Sequence, residues 1–218
     1  MFADKHEFAA FSLAALSLLV SALAYPLLPG TVATHWNAEG AANGSSDKST
    51  GAFIVPLITI ALLAFLRFVP SIDPLGKNIS QFQSEFGKFK LALSGFMLAL
   101  NAGTLAYNLG FVFNFGYLMA PLLAMLFWFV GDLCASAKPN WFIGVRTPWT
   151  LSSPKVWEKT NRLAGKLFKA SAIIALLGLL SVQNAAWFAI APVLAAAVYL
   201  FFYSYFEFRK ERAGKGKR

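Results

Sequence analysis

The chain has 218 residues, of which 57% are hydrophobic and only 13% are Asp, Glu, Lys or Arg. An average soluble domain carries about 25% charged residues, so this composition excludes an ordinary soluble domain. The charge is also clumped, since runs of 31, 41 and 37 residues without Asp, Glu, Lys or Arg follow Glu7, Lys90 and Lys169. About 20 helical residues cross a hydrocarbon core, so the longest run has the length of two crossings. The sequence therefore predicts an all-α, polytopic helical membrane protein.

Six apolar segments have the length of transmembrane helices. We predict them at residues 8–28, 51–69, 91–109, 117–135, 163–182 and 186–206. A polar loop at residues 29–50 and a polar segment at residues 70–90 separate the first three segments. Asn and Gly residues within 108–116, and the pair Gln183-Asn184, are typical of turns.

Four units follow from this layout. They are a two-helix domain at residues 1–70, a cytoplasmic linker at 71–90, a four-helix domain at 91–208 and a basic cytoplasmic tail at 209–218.

The distribution of cations predicts the orientation. Cytoplasmic flanks of membrane proteins are enriched in Lys and Arg, and 18 of the 19 Lys and Arg residues fall on one side of the layout, the exception being Lys48. We therefore expect a plasma-membrane protein with both termini in the cytoplasm. The net charge of +9 is then mostly an orientation signal, and no direct contact with nucleic acid is expected.

The first span has a second interpretation. Ala22-Leu23-Ala24 has the small-x-small pattern of a signal-peptidase site. The preceding segment is poorly basic, because Lys5 is opposed by Asp4 and Glu7. We expect the span to remain, and the sequence leaves open whether residues 1–24 are cleaved.

The loop at residues 29–50 places His35, Trp36 and Asn37 together, with Lys48 near the next span. It is either a solvated connector whose Trp36 rests at the membrane interface, or an outward-facing recognition surface with an aromatic anchor. A single His without a second His or Cys nearby gives little support to a metal site. We expect no metal and no cofactor.

Residues 140–157, NWFIGVRTPWTLSSPKVW, are the most distinctive stretch. Ser153 and Pro154 predict the start of a helix, with the serine as N-cap and the proline at the first position. Five cations then recur at spacings of 4, 3, 4 and 3, which places them on one basic stripe of that helix: Lys155, Lys159, Arg162, Lys166 and Lys169. The predicted interfacial helix leads into the fifth span, and anionic lipid of the inner leaflet is its expected partner. A docking face for a cytoplasmic protein is the further alternative.

Several polar residues have structural interpretations. Arg146 lies among aromatic residues, and the nearest acidic candidate along the chain is Asp132, so we predict a contact between them, either direct or through water. Asn101 and Asn108 are expected to form hydrogen bonds between helices. Cys134, the single cysteine, is interpreted as apolar filler.

Catalysis finds little support. No HExxH, GxSxG or glycine-rich phosphate loop occurs, and the spans contain almost no ionisable groups of the kind that intramembrane catalysis needs. A protein without enzymatic activity is therefore expected. A small-solute transporter or ion channel is one alternative, and a membrane enzyme is another.

Two motifs resemble a known family. PNWFIGVRTPWTLSSPKVWEKTNRLAGKLF resembles the signature of the SdpI family of membrane immunity proteins. The loop PLLPGTVATHWNAEGAANGSSDKS resembles the short domain of unknown function that often precedes it, through Pro29, His35-Trp36-Asn37, Gly40 and Lys48. The residues that match the SdpI signature are Asn140, Trp141, Gly144, Arg146, Pro148, Trp149, Thr150 and Trp157. One position departs from the pattern, because Asn161 stands where a histidine is common, and this puts any proton-linked role there in doubt.

This resemblance implies immunity to a secreted antimicrobial peptide toxin. It also implies that the protein senses the toxin and holds a transcriptional repressor at the membrane. The ligand would then bind at His35, Trp36, Asn37 and Lys48, and the signature residues would face the cytoplasm. The sequence names neither the toxin nor the repressor, and it leaves the oligomeric state open.

Overall fold

A computed structural model describes residues 5–215. Within that range, six helices are long and apolar enough to cross a membrane, which confirms the predicted fold class. The helices are α1 (Lys5–Ala24), α2 (Lys48–Ile72), α3 (Gly76–Ile79), α4 (Gln83–Asn108), α5 (Gly116–Ser136), α6 (Pro148–Leu151), α7 (Pro154–Leu177) and α8 (Ala185–Lys215). Residues 216–218 of the predicted basic tail lie outside the described residues.

Three of the six long helices extend well past the predicted spans. Helix α4 begins eight residues before the predicted span, α7 nine residues before it, and α8 runs on to Lys215. The added turns are rich in Lys, Glu and Arg, which have high helix propensity although they are too polar for the hydrocarbon core. The predicted interfacial helix is accordingly the first part of α7 itself, with Ser153 as its N-cap and Pro154 at its first position.

The loop between α1 and α2 forms a β-hairpin, an element that was not predicted from the sequence. Strands β1 (Thr31–Trp36) and β2 (Ala42–Asp47) pair antiparallel, with Thr31 opposite Asp47 and Trp36 opposite Ala42. The sequence of β2, ANGSSD, consists of residues that are poor strand formers, so pairing with β1 and the connection to α2 determine its conformation.

Helix α1 packs along α4 and α2, whereas α5 packs against α7 with α8 beside them, and α4 also contacts α5. Small residues allow α5 and α7 to approach closely. A Cβ atom at Gly165 would lie 2.7 Å from the Cβ atom of Ala135 and 2.8 Å from the carbonyl oxygen of Gly131. This contact is typical of membrane helix pairs, where small residues bring backbones together.

The two asparagines of α4 have different partners. Asn101 is fully buried, and its Nδ2 donates to the hydroxyls of Ser17 and Ser21 on α1 at 3.1 and 2.9 Å. This confirms the predicted interhelical hydrogen bond. Asn108 instead binds both backbone groups of Ala33, accepting from its N–H at 2.7 Å and donating to its carbonyl at 2.9 Å. The prediction of a helix-to-helix contact is therefore wrong for Asn108, which fastens strand β1 to the end of α4.

The two ends of the bundle differ in character. The hairpin end contains the β-hairpin, the last turn of α4 and the first turns of α5 and α8. The basic end contains the start of α1, the end of α2, the start of α4 and the loop from α5 to α7. There the buried Glu7 accepts hydrogen bonds from Arg67 and Lys90, both at 2.7 Å, so that one carboxylate joins α1, α2 and α4.

Candidate functional site

A cavity of about 540 Å³ lies at the hairpin end. This volume falls within the range of about 300–1,000 Å³ that small-ligand sites occupy. Its roof is the hairpin from Thr34 to Gly40, and its walls come from α2, α4, α5 and α8. The wall residues are Gly51, Ile54, Val55, Leu100, Thr104, Phe115, Gly116, Met119, Ala120, Leu123, Ala185, Ala186 and Ile190.

Trp36 provides the aromatic roof of the cavity. Its ring stacks on Phe115 with 3.9 Å between the ring centroids and meets the edge of Tyr107 at 5.4 Å. Its Nε1 is shielded from solvent and has no hydrogen-bond partner. Since no solvent-accessible surface remains on this nitrogen, Trp36 lines the cavity with its ring and not with its N–H.

His35 and Asn37 also line the cavity, and both have structural roles in the hairpin. His35 Nδ1 lies 2.6 Å from Asn43 Oδ1, a hydrogen bond across the two strands. Asn37 Oδ1 accepts from the N–H of Ala41 at 2.8 Å and thereby orders the turn. The His-Trp-Asn motif thus shapes the roof, and of its three side chains only Trp36 has a buried donor without a partner.

The turn is joined to the start of α5. Asn114 Nδ2 donates to the carbonyl of Glu39 at 2.7 Å, and the N–H of Phe115 donates to the carbonyl of Gly40 at 3.1 Å. Gly40 has a φ of 79°, and a Cβ atom there would lie 2.0 Å from Asn114 Oδ1. Only glycine fits this approach.

Lys48 is not among the residues that line the cavity. It is the first residue of α2, and its ammonium group lies over the ring of Tyr25, 4.6 Å from the centroid. The structure therefore separates Lys48 from the other three residues that were predicted to bind ligand. Within residues 5–215, no group of three or more His, Cys, Asp or Glu side chains could hold a metal ion.

At the basic end, the signature loop (residues 137–153) is held together by its own polar side chains. Asn140 is fully buried, and its Oδ1 accepts from the N–H groups of Phe142 and Ile143 at 2.9 and 2.6 Å. Its Nδ2 donates to the carbonyls of Lys138 and Ile143 at 2.8 and 2.9 Å. One side chain therefore satisfies four backbone groups that no helix or strand could pair.

Helix α7 supplies two further supports for the loop. Trp157 is buried, and its Nε1 donates to the carbonyl of Ala137 at 2.8 Å. Asn161 Oδ1 accepts from the N–H of Val145 at 2.7 Å. Val145 follows Gly144 in the chain, and the φ of Gly144 is 106°, a conformation that residues with a side chain rarely adopt.

The next residues connect the loop to α8. Thr147 and Thr150 form a capping box at the start of α6, where Pro148 occupies the first position. The Thr147 hydroxyl lies 3.0 Å from that of Ser204 on α8. Trp149 packs against Phe201 and Tyr205, also on α8, with ring centroids 5.0 and 5.1 Å apart.

Arg146 and Asp132 do not form the predicted direct contact, because each has another partner. The Arg146 guanidinium donates to the carbonyl of Trp141 at 2.5 Å, within its own loop. The Asp132 carboxylate pairs with Lys169 of α7 at 2.5 Å. Asp132 was expected to be the partner of Arg146 because it is the nearest acidic residue along the chain. The close packing of α5 on α7 instead places Lys169 next to Asp132.

Two residues that were not predicted from the sequence, Asp73 and Asn78, hold the signature loop against the linker after α2. Asp73 Oδ2 accepts from the N–H of Trp141 at 2.8 Å, and Asn78 Nδ2 donates to the carbonyl of Pro139 at 2.7 Å. No local signal in the sequence indicates them, because isolated Asp and Asn residues are usual in polar linkers. The ring of Trp141 remains 51% exposed, so it is available at the surface of the basic end.

The fold and these sites define a polytopic helical membrane protein with a hairpin-roofed cavity at one end and an ordered aromatic loop at the other. Residues 136–204 match the model of the SdpI/YfhL protein family, and residues 12–60 match a domain of unknown function, DUF1648. The chain is 28% identical over 197 residues to the protein named Immunity protein SdpI of Bacillus subtilis (strain 168), covering 89% of this chain and 92% of that protein. The family resemblance inferred from the sequence is thereby confirmed. No solved structure matches the chain.

Proposed function

We propose that this protein gives SdpI-like immunity to a secreted antimicrobial peptide toxin, which it binds at the hairpin end. The relative that extends over 89% of the chain is named an immunity protein. The observation that carries the binding site is the cavity beneath the hairpin, with the ring of Trp36 in its roof. A role without catalysis is consistent with the name of this relative and with the cavity.

We propose further that the hairpin end faces the cell exterior and that both termini are cytoplasmic. In the part of the chain that the structure describes, Lys48 is the one Lys or Arg at the hairpin end, and the remaining cations belong to the other half of the bundle. This asymmetry follows the rule that cytoplasmic flanks are rich in Lys and Arg.

Cysteine labelling tests the orientation. In a Cys134→Ala background, Ser45→Cys on β2 and Ser152→Cys after α6 each place one exposed thiol at opposite ends of the bundle. We expect a membrane-impermeant maleimide to label Ser45→Cys in intact cells and Ser152→Cys only after the membrane is opened. Equal labelling of both in intact cells would reject the orientation.

A toxin challenge tests the immunity and the role of Trp36. Cells that express this protein should survive a toxic peptide of this class that kills cells without it. Trp36→Ala removes the stacked ring and the buried donor, so we expect at least a tenfold loss of protection at equal expression. Trp187→Ala is the matched control, because Trp187 is 61% exposed on α8 and does not line the cavity. Full protection by Trp36→Ala would count against the hairpin as the binding site.

At the basic end we propose contacts with anionic lipid and with a cytoplasmic repressor. The exposed ring of Trp141 and the exposed cations Lys155, Lys159, Arg162 and Lys166 support a docking surface of this kind. Transcript profiles of toxin-treated cells, with and without the protein, test the repressor. Identical profiles would exclude sensing through a repressor while leaving immunity in place.

A further inference from the structure

We propose that a second cavity, at the basic end, binds a phosphate group, either that of an anionic phospholipid or that of a soluble phosphate compound. The cavity lies between the start of α1, the end of α2 and the start of α4. It is separate from the hairpin-end cavity. The proposal depends neither on immunity nor on the orientation of the chain, because phospholipids are present in both leaflets.

The phosphate cavity has a volume of about 260 Å³. This is below the range of about 300–1,000 Å³ that drug-sized ligands occupy, so it suits one compact group. Three of the residues that line it are charged, namely Glu7, Arg67 and Lys90. The others are Pro70, Ile79, Ser80, Gln83 and Phe86.

The charges in this lining do not balance. Among the described residues that line the cavity, two are cations and one is a carboxylate, since Glu7 accepts from both Arg67 and Lys90 at 2.7 Å. The side chains of Glu7 and Lys90 are only 1% and 6% exposed, and buried charges are screened weakly by salt and water. The lining therefore favours an anion over a cation or a neutral group.

The ammonium group of Lys90 has donors to spare. It carries three N–H donors, and its acceptor in the structure is Glu7 Oε1, with the Phe86 ring centroid 4.8 Å from Nζ. A buried ion pair is stable only when its remaining protons are also hydrogen-bonded. Phosphate oxygens accept strong hydrogen bonds from lysine, so a phosphate group in the cavity would satisfy this ammonium.

Gln83 supplies a neutral donor on the same face of α4. Gln83, Phe86 and Lys90 recur at spacings of 3 and 4, which places all three towards the cavity. The Gln83 side chain is half-buried, and in the part of the chain that the structure describes it has no hydrogen-bond partner. Its amide group can therefore donate to a second oxygen of the same anion.

The cavity lies at the level of lipid headgroups. Glu7 and Lys90 each directly precede a predicted span, and Arg67 is among the last three residues of another. The ends of spans lie where the hydrocarbon core meets the headgroup layer. Basic pockets between transmembrane helices bind phosphorylated lipid headgroups in other membrane proteins. A phospholipid phosphate thus reaches the cavity from the side, and a soluble phosphate compound reaches it from water.

A pair of isosteric substitutions tests the site. We would titrate the full chain in dodecyl maltoside, which contains no phosphate, with dioctanoyl phosphatidylglycerol, and count bound lipids by native mass spectrometry. Gln83→Glu places a carboxylate in the cavity, so we expect the first lipid to bind about fivefold more weakly or worse. Gln81→Glu should bind as the wild type does. It changes the net charge equally, but Gln81 is exposed and does not line the cavity.

Lys90→Met is a second variant. It removes the ammonium group and leaves Glu7 paired with Arg67, so it should weaken lipid binding as Gln83→Glu does. Thermal unfolding in phosphate-free detergent shows whether each variant is folded. There Gln83→Glu should melt no lower than the wild type, because the new carboxylate takes the place of the phosphate. Equal lipid affinity of folded Gln83→Glu and Gln81→Glu would overturn a phospholipid as the ligand.

Inorganic phosphate tests the soluble source. Phosphate raises the melting temperature of most proteins by exclusion from their surface, so the quantity to compare is the extra increase in Gln81→Glu over Gln83→Glu. An extra increase without a difference in lipid binding would assign the site to a soluble phosphate compound. A difference in lipid binding alone would assign it to a phospholipid. No difference between the two variants with either ligand would overturn the proposal.

Discussion

Gly144 illustrates how single residues of the signature act through the backbone. Its φ of 106° turns the chain so that the N–H of Val145 reaches Asn161 Oδ1, and a Cβ atom would lie 2.5 Å from that oxygen. Glycine is needed here both for its conformation and for the space. The Asn161 side chain occupies the space that this Cβ atom would need. It accepts the hydrogen bond as a neutral amide, which does not titrate, so this contact contains no ionisable proton.

Gly144→Ala should destabilise the protein by about 1–3 kcal/mol, because the backbone conformation is strained for alanine and the new methyl group displaces Asn161. Thermal unfolding of the variant and the wild type in detergent measures this loss of stability. Gly95→Ala is the control: Gly95 lies in α4 with nothing within 4 Å of its Cβ position, so that change should be neutral or slightly stabilising. Equal melting temperatures for both variants would contradict the argument.

Among the elements, α2 begins where the hairpin ends, and Asp47 links the two. Its carboxylate accepts from the Thr50 hydroxyl at 2.7 Å and from the N–H groups of Thr50 and Ser49, each at 3.0 Å. The hydrogen bond from the Thr50 side chain, followed by that from the Thr50 backbone, lowers the pKa of Asp47 from its usual value of 3.8. The charged carboxylate is therefore the N-cap of the first helix that follows the cavity roof.

This cap predicts a pH dependence. Since the pKa of Asp47 is lower in the folded protein, its contribution to stability is fully present above the usual value of 3.8, which applies to the unfolded chain, and is lost as the pH falls through the folded pKa. Asp47→Ser keeps a capping oxygen without a titrating group. The difference in melting temperature between wild type and Asp47→Ser should thus change between pH 7 and pH 3, to the disadvantage of the wild type at pH 3. A constant difference over that range would show that Asp47 does not titrate with folding.

At the scale of the whole molecule, one buried carboxylate holds the N-terminal half together at the basic end. Glu7 of α1 accepts from Arg67 of α2 and from Lys90 of α4, and both Glu7 and Lys90 are buried. At the hairpin end two of these helices, α2 and α4, line the cavity, and Asn108 fastens β1 to α4. The triad therefore joins to α1 the two helices, α2 and α4, that supply part of the cavity wall.

Glu7→Gln should destabilise the fold by about 3–5 kcal/mol, because it leaves the Lys90 ammonium buried without a counter-charge. Adding Lys90→Met should recover most of that loss, since it removes the unpaired charge. Glu85→Gln is the control. Glu85 forms a partly exposed pair with Lys88 at 3.6 Å, and such pairs contribute about 0–1 kcal/mol. Melting temperatures in detergent measure the stability of each variant. A double variant that is no more stable than Glu7→Gln would argue against a charge effect.

The six spans, the uneven placement of the cations and the start of α7 at Ser153 and Pro154 could all be predicted from the amino-acid sequence. These properties depend on hydropathy, charge and capping over neighbouring residues, so a local pattern suffices to predict them. The His-Trp-Asn motif was likewise visible, although it gave no sign that Trp36 faces a cavity and Lys48 does not. The domain boundaries at residues 70, 90 and 208 stay predictions.

The hairpin, the cavity and the partners of Asn108, Arg146 and Asp132 could not be predicted in this way and became known from the folded chain. Each of these depends on residues from separate helices that come together by packing. Small residues at Gly131 and Gly165 bring α7 against α5 and so place Lys169 beside Asp132. A gap between helices leaves no periodic signal along the chain, because every helix that borders it still has an ordinary apolar sequence.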